Sequence, residues 1–430
     1  MDTQIPRGTI INLVYREGSN NWEFSKDGKT LIKLNQPEFY KPDYFGGLNV
    51  AIPEGVEIID DGVFDEWNDE ISISKLSIPS SVNSINPETC SLANQIEVDE
   101  NNIMYSSVDG ALYNKSQTKL LCVPIGLGQY EMPNSVVEIR SGAFDFCIFE
   151  TLKLSPNLKF QDDLWWSINV GQIVPNGNPN YKLYKDCLYD REGKRLLCVT
   201  NKYCKRSEIE FLDSLEFIDA LVLPQIERIC IPPKLSTIKN MHALDASEIE
   251  VSPYNPYFSS IDGVLFCRDK SIILRYPSLN SRTEYEIPNG VIACSYLVFN
   301  SAKNMKRIII SESVEEFEGT YQTESLECVE FRGLIKRLIN DHDYNEYDTD
   351  DYSLFDDTGC LREIKIPIGS TSYYKDLFKK YCSDNYGEYV RLLRESVVST
   401  QESTHTCSKC GCSGIPDEAI FCPECGAKLR

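Results

Sequence analysis

The stretch Tyr105-Ser106-Ser107-Val108-Asp109-Gly110-Ala111-Leu112-Tyr113 returns at Tyr181 to Tyr189 and again at Phe258 to Phe266. The starts at 105, 181 and 258 lie 76 and 77 residues apart. Each copy continues through a few polar residues into a second apolar run: Leu120-Leu121-Cys122-Val123, Leu196-Leu197-Cys198-Val199 and Ile272-Ile273-Leu274. Two β-rich runs around a short polar turn predict a hairpin. A degenerate copy opens the chain, where Ser25-Lys26-Asp27-Gly28-Lys29-Thr30-Leu31-Ile32 mirrors Asp190-Arg191-Glu192-Gly193-Lys194-Arg195-Leu196-Leu197.

A shorter period runs between the hairpins. Ile52-Pro53 with Val56 is followed by Ile78-Pro79 with Val82, and Met132-Pro133 with Val136 by Leu154-Ser155 with Leu158. The same string returns at Phe211-Leu212 with Leu215, Ile231-Pro232 with Leu235, Ile287-Pro288 with Val291, and Ile310-Ser311 with Val314. Paired neighbours start 26, 22, 20 and 23 residues apart (52 to 78, 132 to 154, 211 to 231, 287 to 310). That spacing fits one turn of a leucine-rich solenoid, so the module is two solenoid turns plus one hairpin. Each turn buries one face against the next, and no single unit folds alone. In Tyr130-Glu131-Met132, Tyr285-Glu286-Ile287 and Ile364-Lys365-Ile366, alternation sends the outer pair into the core and the central charge outward.

These strings resemble the BspA-type leucine-rich-repeat family. Met132-Pro133-Asn134-Ser135-Val136-Val137-Glu138-Ile139-Arg140-Ser141-Gly142-Ala143-Phe144 is a near-complete copy of its turn motif, and residues 107–115 and 260–266 carry its hairpin insert. The middle copy departs, with Lys185-Asp186 in place of Asp-Gly, which leaves a different turn open there. The resemblance covers roughly residues 10–382 and implies a curved solenoid, mainly β with short helices, carrying a parallel sheet on its concave face and hairpin inserts. It also implies a surface or interaction protein.

Composition bounds the function. The 430 residues carry 43 Lys+Arg against 65 Asp+Glu, a net charge of −22, so phosphate backbones and anionic lipid are poor partners. No apolar run of about 18 residues exists to span a bilayer. The start, Met1-Asp2-Thr3-Gln4-Ile5-Pro6-Arg7, lacks both a basic n-region and a long apolar h-region. Of 17 cysteines, five lie in the last 24 residues, and the other twelve are scattered singly as small buried hydrophobes. Unpaired thiols and no visible leader set the expectation of a reducing, cytoplasmic location.

The last repeat needs a cap, because a bare edge exposes apolar surface and unpaired backbone. Tyr374, Leu377, Phe378 and Tyr381 form one helical stripe, with Ser370 or Ser372 as N-cap. Ser396 to Thr406 then reads as a polar linker. Beyond it, Cys407-Ser408-Lys409-Cys410-Gly411 and Cys422-Pro423-Glu424-Cys425-Gly426 are paired CxxC-Gly knuckles. Two residues between cysteines aim both sulfurs at one point, and four thiolates complete a tetrahedral shell at about 2.3 Å from Zn²⁺. Such a short tail cannot bury enough apolar area to fold unaided, so the metal would supply the folding energy. The tail resembles the short zinc ribbons found attached to bacterial proteins. Structural zinc outweighs iron or a disulfide, and Cys412 is a bystander. The expected organisation is therefore an N-terminal cap with the degenerate hairpin (1–47), a solenoid closed by its helix (48–395), a linker (396–406) and a zinc ribbon (407–430).

Two acidic features suggest a binding role. From Asp341 to Asp357 the chain has eight acidic residues and no Lys or Arg. Asp341, Asp343 and Asn345 briefly imitate a calcium loop, but Glu346 and Tyr352 occupy the positions that need Gly and Glu, which leaves a solvated acidic loop or a docking site for a basic partner. The outward strand positions supply Glu97, Glu131, Glu210, Glu250, Glu286 and Glu330, with Lys153 and Lys365 the basic members. Rungs stacked about 4.8 Å apart would set these side chains in a ladder, either to solubilise the sheet or to meet a basic partner protein.

Catalytic constellations do not assemble. The only histidines are His242, His342 and His405, no GxSxG, HExxH or P-loop string occurs, and Gly126 with Gly128 is followed by Glu131 and a strand instead of a helix. The sequence reading is a non-enzymatic, protein-binding repeat scaffold with a tethered zinc ribbon. An exported cell-surface adhesion protein of the same repeat family is the alternative, which disulfides among repeat cysteines such as Cys90 and Cys147 would favour.

Overall fold

A computed structural model describes residues 10–16, 21–35, 47–64, 73–161, 165, 168–200, 208–218, 226–241, 244–294, 298–338, 354–355, 358–382 and 385–396, and the backbone of 404–405 and 415–416. The described chain is mainly short strands, with the helices Thr371–Tyr381 and Tyr386–Leu392 near its end. It divides into two compact units, Met1–Ser281 with Leu297–Lys303, and Arg282–Tyr296 with Asn304–Arg430. No feature of the repeats marked that division.

In the first unit every apolar-Pro string forms a strand followed by a tight turn. Val136 N–H donates to Pro133 O at 3.0 Å, and Val56 and Leu235 repeat that bond to Pro53 and Pro232. Successive strands then pair in parallel. Ile11–Val14, Leu48–Ala51, Ile73–Ile78 and Ile96–Val98 form one ladder, Gln129–Glu131, Thr151–Lys153 and Ile173–Val174 a second, and Glu208–Glu210, Ile226–Ile231 and Ala246–Val251 a third. Two-residue strands after the turns build companion ladders, as where Ile58–Ile59 and Ser84–Ile85 stack in parallel on the hairpin strand Thr30–Leu34. The core lies between the two sets. Tyr130 and Met132 are buried with Glu131 exposed between them, as the alternation requires.

The expected hairpins are present, and each carries the same irregularity. Tyr105–Val108 pairs antiparallel with Ala111–Asn114, Tyr181–Tyr184 with Cys187–Asp190, and Phe258–Ile261 with Val264–Cys267. The following strand pairs with a bulge at Leu112/Tyr113, Leu188/Tyr189 and Leu265/Phe266. The degenerate first copy bulges at Glu23/Phe24. The middle turn does not differ: Lys185 and Asp186 adopt φ of 46° and 61°, against 50° and 86° at Asp109-Gly110 and 50° and 80° at Asp262-Gly263. Strand twist demands positive φ at both central residues, and that demand prevails over the residue types.

In the second unit Glu284–Glu286, Arg307–Ile310, Cys328–Phe331 and Glu363–Pro367 form the parallel ladder. The helix Thr371–Tyr381 buries Tyr374, Leu377 and Phe378, while Tyr381 is half-buried. Ser370 sits at the N-cap, yet its hydroxyl donates back to Pro367 O at 2.6 Å and caps no helical N–H. The chain then adds a strand that the helical stripe gave no sign of. Leu393–Ser396 pairs in parallel with Glu363–Pro367 and covers the edge that the helix alone leaves open. Leu354 and Phe355 are buried, and Phe355 bridges to Thr320, so the chain re-enters the core just before the end of the acidic stretch. The calcium-like residues Asp341, Asp343, Asn345 and Glu346 lie outside the described residues, as do His242, His342, most of the 396–406 linker, and Cys407, Cys410, Cys422 and Cys425.

Candidate protein-binding face

The outward charges sit where the parallel register places them. Glu131 faces Lys153 across one rung, and the two join at 2.5 Å. Glu97 lies opposite Ser77 and is reached diagonally by Lys75 at 2.6 Å. Glu208, Arg228 and Glu248 share one row, and Glu210, Cys230 and Glu250 the next. Arg228 stands between Glu248 at 3.6 Å and Glu250 at 3.8 Å, while Lys185 from the hairpin turn pairs with Glu210. Cys230 donates its thiol to Glu208 at 3.0 Å. Burial first, then the neighbouring Glu208, pushes that thiol up to about 12, so it stays protonated and weakly nucleophilic.

In the second unit Glu284, Arg307, Cys328 and Glu363 form one row, and Glu286, Ile309, Glu330 and Lys365 the other. Arg307 binds Glu284 at 3.1 Å and also pairs with Glu330. Arg332, just past the end of its strand, bonds Glu330 at 3.3 Å and pairs with Glu286. Glu330 is therefore 5% exposed, held between two guanidinium groups. Burial alone would raise its pKa, but the Arg307 and Arg332 hydrogen bonds prevail and hold it below the usual carboxylate value.

The single ladder expected from the sequence, acidic but for Lys153 and Lys365, is instead divided and more mixed in charge. The six glutamates lie on four separate ladders, each interleaved with Lys or Arg, and Glu330 is withdrawn from the surface. The expectation took only the central residue of each apolar triplet, whereas the strand also presents the position two before it on the same face. Reading Glu208, Arg228, Glu248, Glu284 and Arg307 alongside the central residues would have shown the mixture.

A second set of residues positions this face and carries its own sequence signal. Asn102, Asn178 and Asn255 stand 76 and 77 residues apart, each three residues before a hairpin start, and all three are buried. Asn255 Nδ2 donates to Pro232 O at 2.8 Å and Leu235 O at 2.9 Å, while its Oδ1 accepts from the Tyr257 and Phe258 N–H groups. Asn102 makes the same bonds to Pro79 and Val82, and Asn178 spans Ser155 and Leu158. Each clamps the preceding turn to the hairpin that follows, and the 76–77-residue period would have revealed it.

The described cysteines are thiols without disulfide partners, seven of them buried. Burial pushes Cys90, Cys147 and Cys198 up to about 12. The buried hydroxyls of Tyr113 and Tyr130 bond to each other. Among the described residues no group of three or more His, Cys, Asp or Glu is placed to hold a metal, and no helix is long and apolar enough to cross a membrane.

Comparison with known proteins agrees with the repeat geometry. The model of the BspA type leucine-rich repeat region matches in six copies, over residues 29–122. No curated relative matches. Among solved structures, the chain is similar to a leucine-rich cell surface protein from Faecalibacterium prausnitzii, at 17% identity over 83% of this chain and 89% of that one, with a TM-score of 0.35. It is also similar to a leucine-rich repeat protein from Eubacterium ventriosum (16% identity, 74% and 73% covered, TM-score 0.33) and to the pneumococcal vaccine antigen PcpA (12% identity, 87% of each chain, TM-score 0.27). Residues 29–122 thus match leucine-rich repeats of the BspA type.

That class corrects the cytoplasmic expectation, because BspA-type repeats are found in exported and cell-surface proteins. The thiols did not discriminate: a cysteine buried singly packs as a small apolar residue in any compartment.

Proposed function

We propose that the chain is a non-enzymatic, protein-binding repeat protein of the cell-surface kind, a leucine-rich solenoid with a tethered zinc ribbon. The observation that carries this reading is the set of parallel ladders whose outward positions present rows of charge. Rows of carboxylates with interspersed cations give a polar surface suited to selecting a partner by charge pattern and to speeding encounter. Glu97, Glu131, Glu210, Glu250 and Glu286 supply its acidic members, and a partner with a net basic surface complements them. The test is antibody labelling of intact cells, and labelling without permeabilisation is the expected result. Labelling that appears only after permeabilisation would overturn the reading.

Cys407, Cys410, Cys422 and Cys425 are the ligands of the ribbon in this reading. Thr404–His405 pairs antiparallel with Ile415–Pro416, and an all-cysteine donor set suits tetrahedral Zn²⁺. The bound ion would supply folding energy, and a closed thiolate shell would leave no position open for substrate.

A further inference from the structure

The turns of three successive repeats enclose a depression of about 630 Å³ in the first unit, separate from the charged ladders. Its apolar side is made by Leu92, which is half-exposed, and by Phe146, which is 82% exposed. Ile148, two residues on, is also exposed. Phe146 is unusual in its backbone as well. It has φ of 63°, a conformation that costs a bulky L-residue about 1 kcal/mol or more. The turn does not require an aromatic there. In the matching turn Ser301 has φ of 59°, and both turns close with the same backbone bond, Cys147 N–H to Phe144 O at 3.0 Å and Ala302 N–H to Phe299 O at 3.1 Å. A strained residue that holds a large apolar ring in water destabilises the free protein twice over, and such strain collects at functional positions.

The polar side of the depression is acidic. Asp61, Glu88 and Asp145 line it, and Arg140 pairs with Glu88 at 2.6 Å. Three carboxylates against one guanidinium disfavour an anionic lipid surface and favour a cationic occupant. The three turns lie along the stacking direction of the repeats, which suits an extended segment better than a compact ligand.

We propose that this groove binds an extended segment of a partner protein in which an apolar side chain, seated between Leu92 and Phe146, is flanked by lysine or arginine facing Asp61 and Glu88. The inference rests on the protein-binding reading and names its partner chemistry. It is tested by fluorescence anisotropy on the full chain with three labelled synthetic peptides: one alternating lysine with leucine and phenylalanine, its glutamate counterpart, and a lysine–serine counterpart. The first peptide should bind, and the other two should bind about tenfold more weakly or worse. Phe146→Gly should cost about tenfold in binding of the first peptide while the thermal midpoint holds or rises, because glycine relieves the strained φ. Asp61→Lys should weaken binding in the same direction. Equal binding of the glutamate peptide, no binding of the first peptide, or unchanged binding by the Phe146→Gly variant overturns the groove. The intact-cell labelling result is independent of all three, so the groove can fail while the surface reading stands.

Discussion

At the scale of single residues, the asparagine clamp shows how much one side chain contributes when its amide is fully used. Asn255 makes four hydrogen bonds in a buried setting. Asn255→Leu keeps the volume but leaves the carbonyls of Pro232 and Leu235 and the amides of Tyr257 and Phe258 without that partner. The expected loss is about 3 kcal/mol in urea unfolding, and a loss under about 1 kcal/mol would mean that water replaces the clamp. The hairpin turns give the opposite case. Asp186 occupies a positive-φ position that the other copies fill with glycine, so Asp186→Gly should raise stability by about 0.5–1 kcal/mol in the same assay. The reverse change at Gly263 should destabilise, since a Cβ there meets Glu248 Cγ at 2.9 Å. The clamp and the turn were both readable from the 76–77-residue period. The strained φ at Phe146 was not, because no residue-type preference points to phenylalanine in that conformation.

At the scale of elements, the strand rows set the electrostatics. Glu330 has its carboxyl held below the ordinary value of 4.5 in the folded state by Arg307 and Arg332, against burial. The sign follows directly. A folded pKa below the unfolded one means that its stabilisation is complete above the ordinary value and fades as pH falls through the folded value. Glu330→Gln should therefore cost about 1–2 kcal/mol at neutral pH, with the difference from wild type shrinking as the solution is acidified below about pH 4.5. Urea midpoints of the two proteins at neutral and acid pH check this, and a constant gap would refute it. The row was only half legible in the sequence. Alternation assigned Glu330 to the outward side of its strand, but Arg332 folds back over two rungs to reach Glu286, 46 residues away in sequence. No local pattern records such a return.

At the scale of the whole molecule, the proposed ribbon would make the repeat array and the cysteine tail separate stability problems. The array rests on buried apolar stacks such as Leu152, Leu154 and Ile173, whereas the proposed ribbon would draw its folding energy from zinc. The full chain should carry about one zinc, measured by metal analysis of protein purified without chelator. Removing it with a strong chelator should leave the thermal transition of the repeats in place while releasing free thiols from the tail. Much less than one metal per chain would refute the ribbon, and loss of the main transition would refute its independence.

The sequence by itself determined the repeats, the hairpins, the alternation of buried and outward residues and the helical cap. These follow from a period of two along a strand, a helical stripe and turn chemistry within a few residues, all local quantities. Tertiary structure alone decided which charges meet, because rung neighbours such as Glu131 and Lys153 are 22 residues apart and their register is set by how the cores stack. It also decided that Glu330 is buried, that Leu393–Ser396 closes the ladder, and that Leu92 and Phe146 from different turns flank one groove. Packing brings those groups together, and the one-dimensional pattern carries no measure of the distance between them.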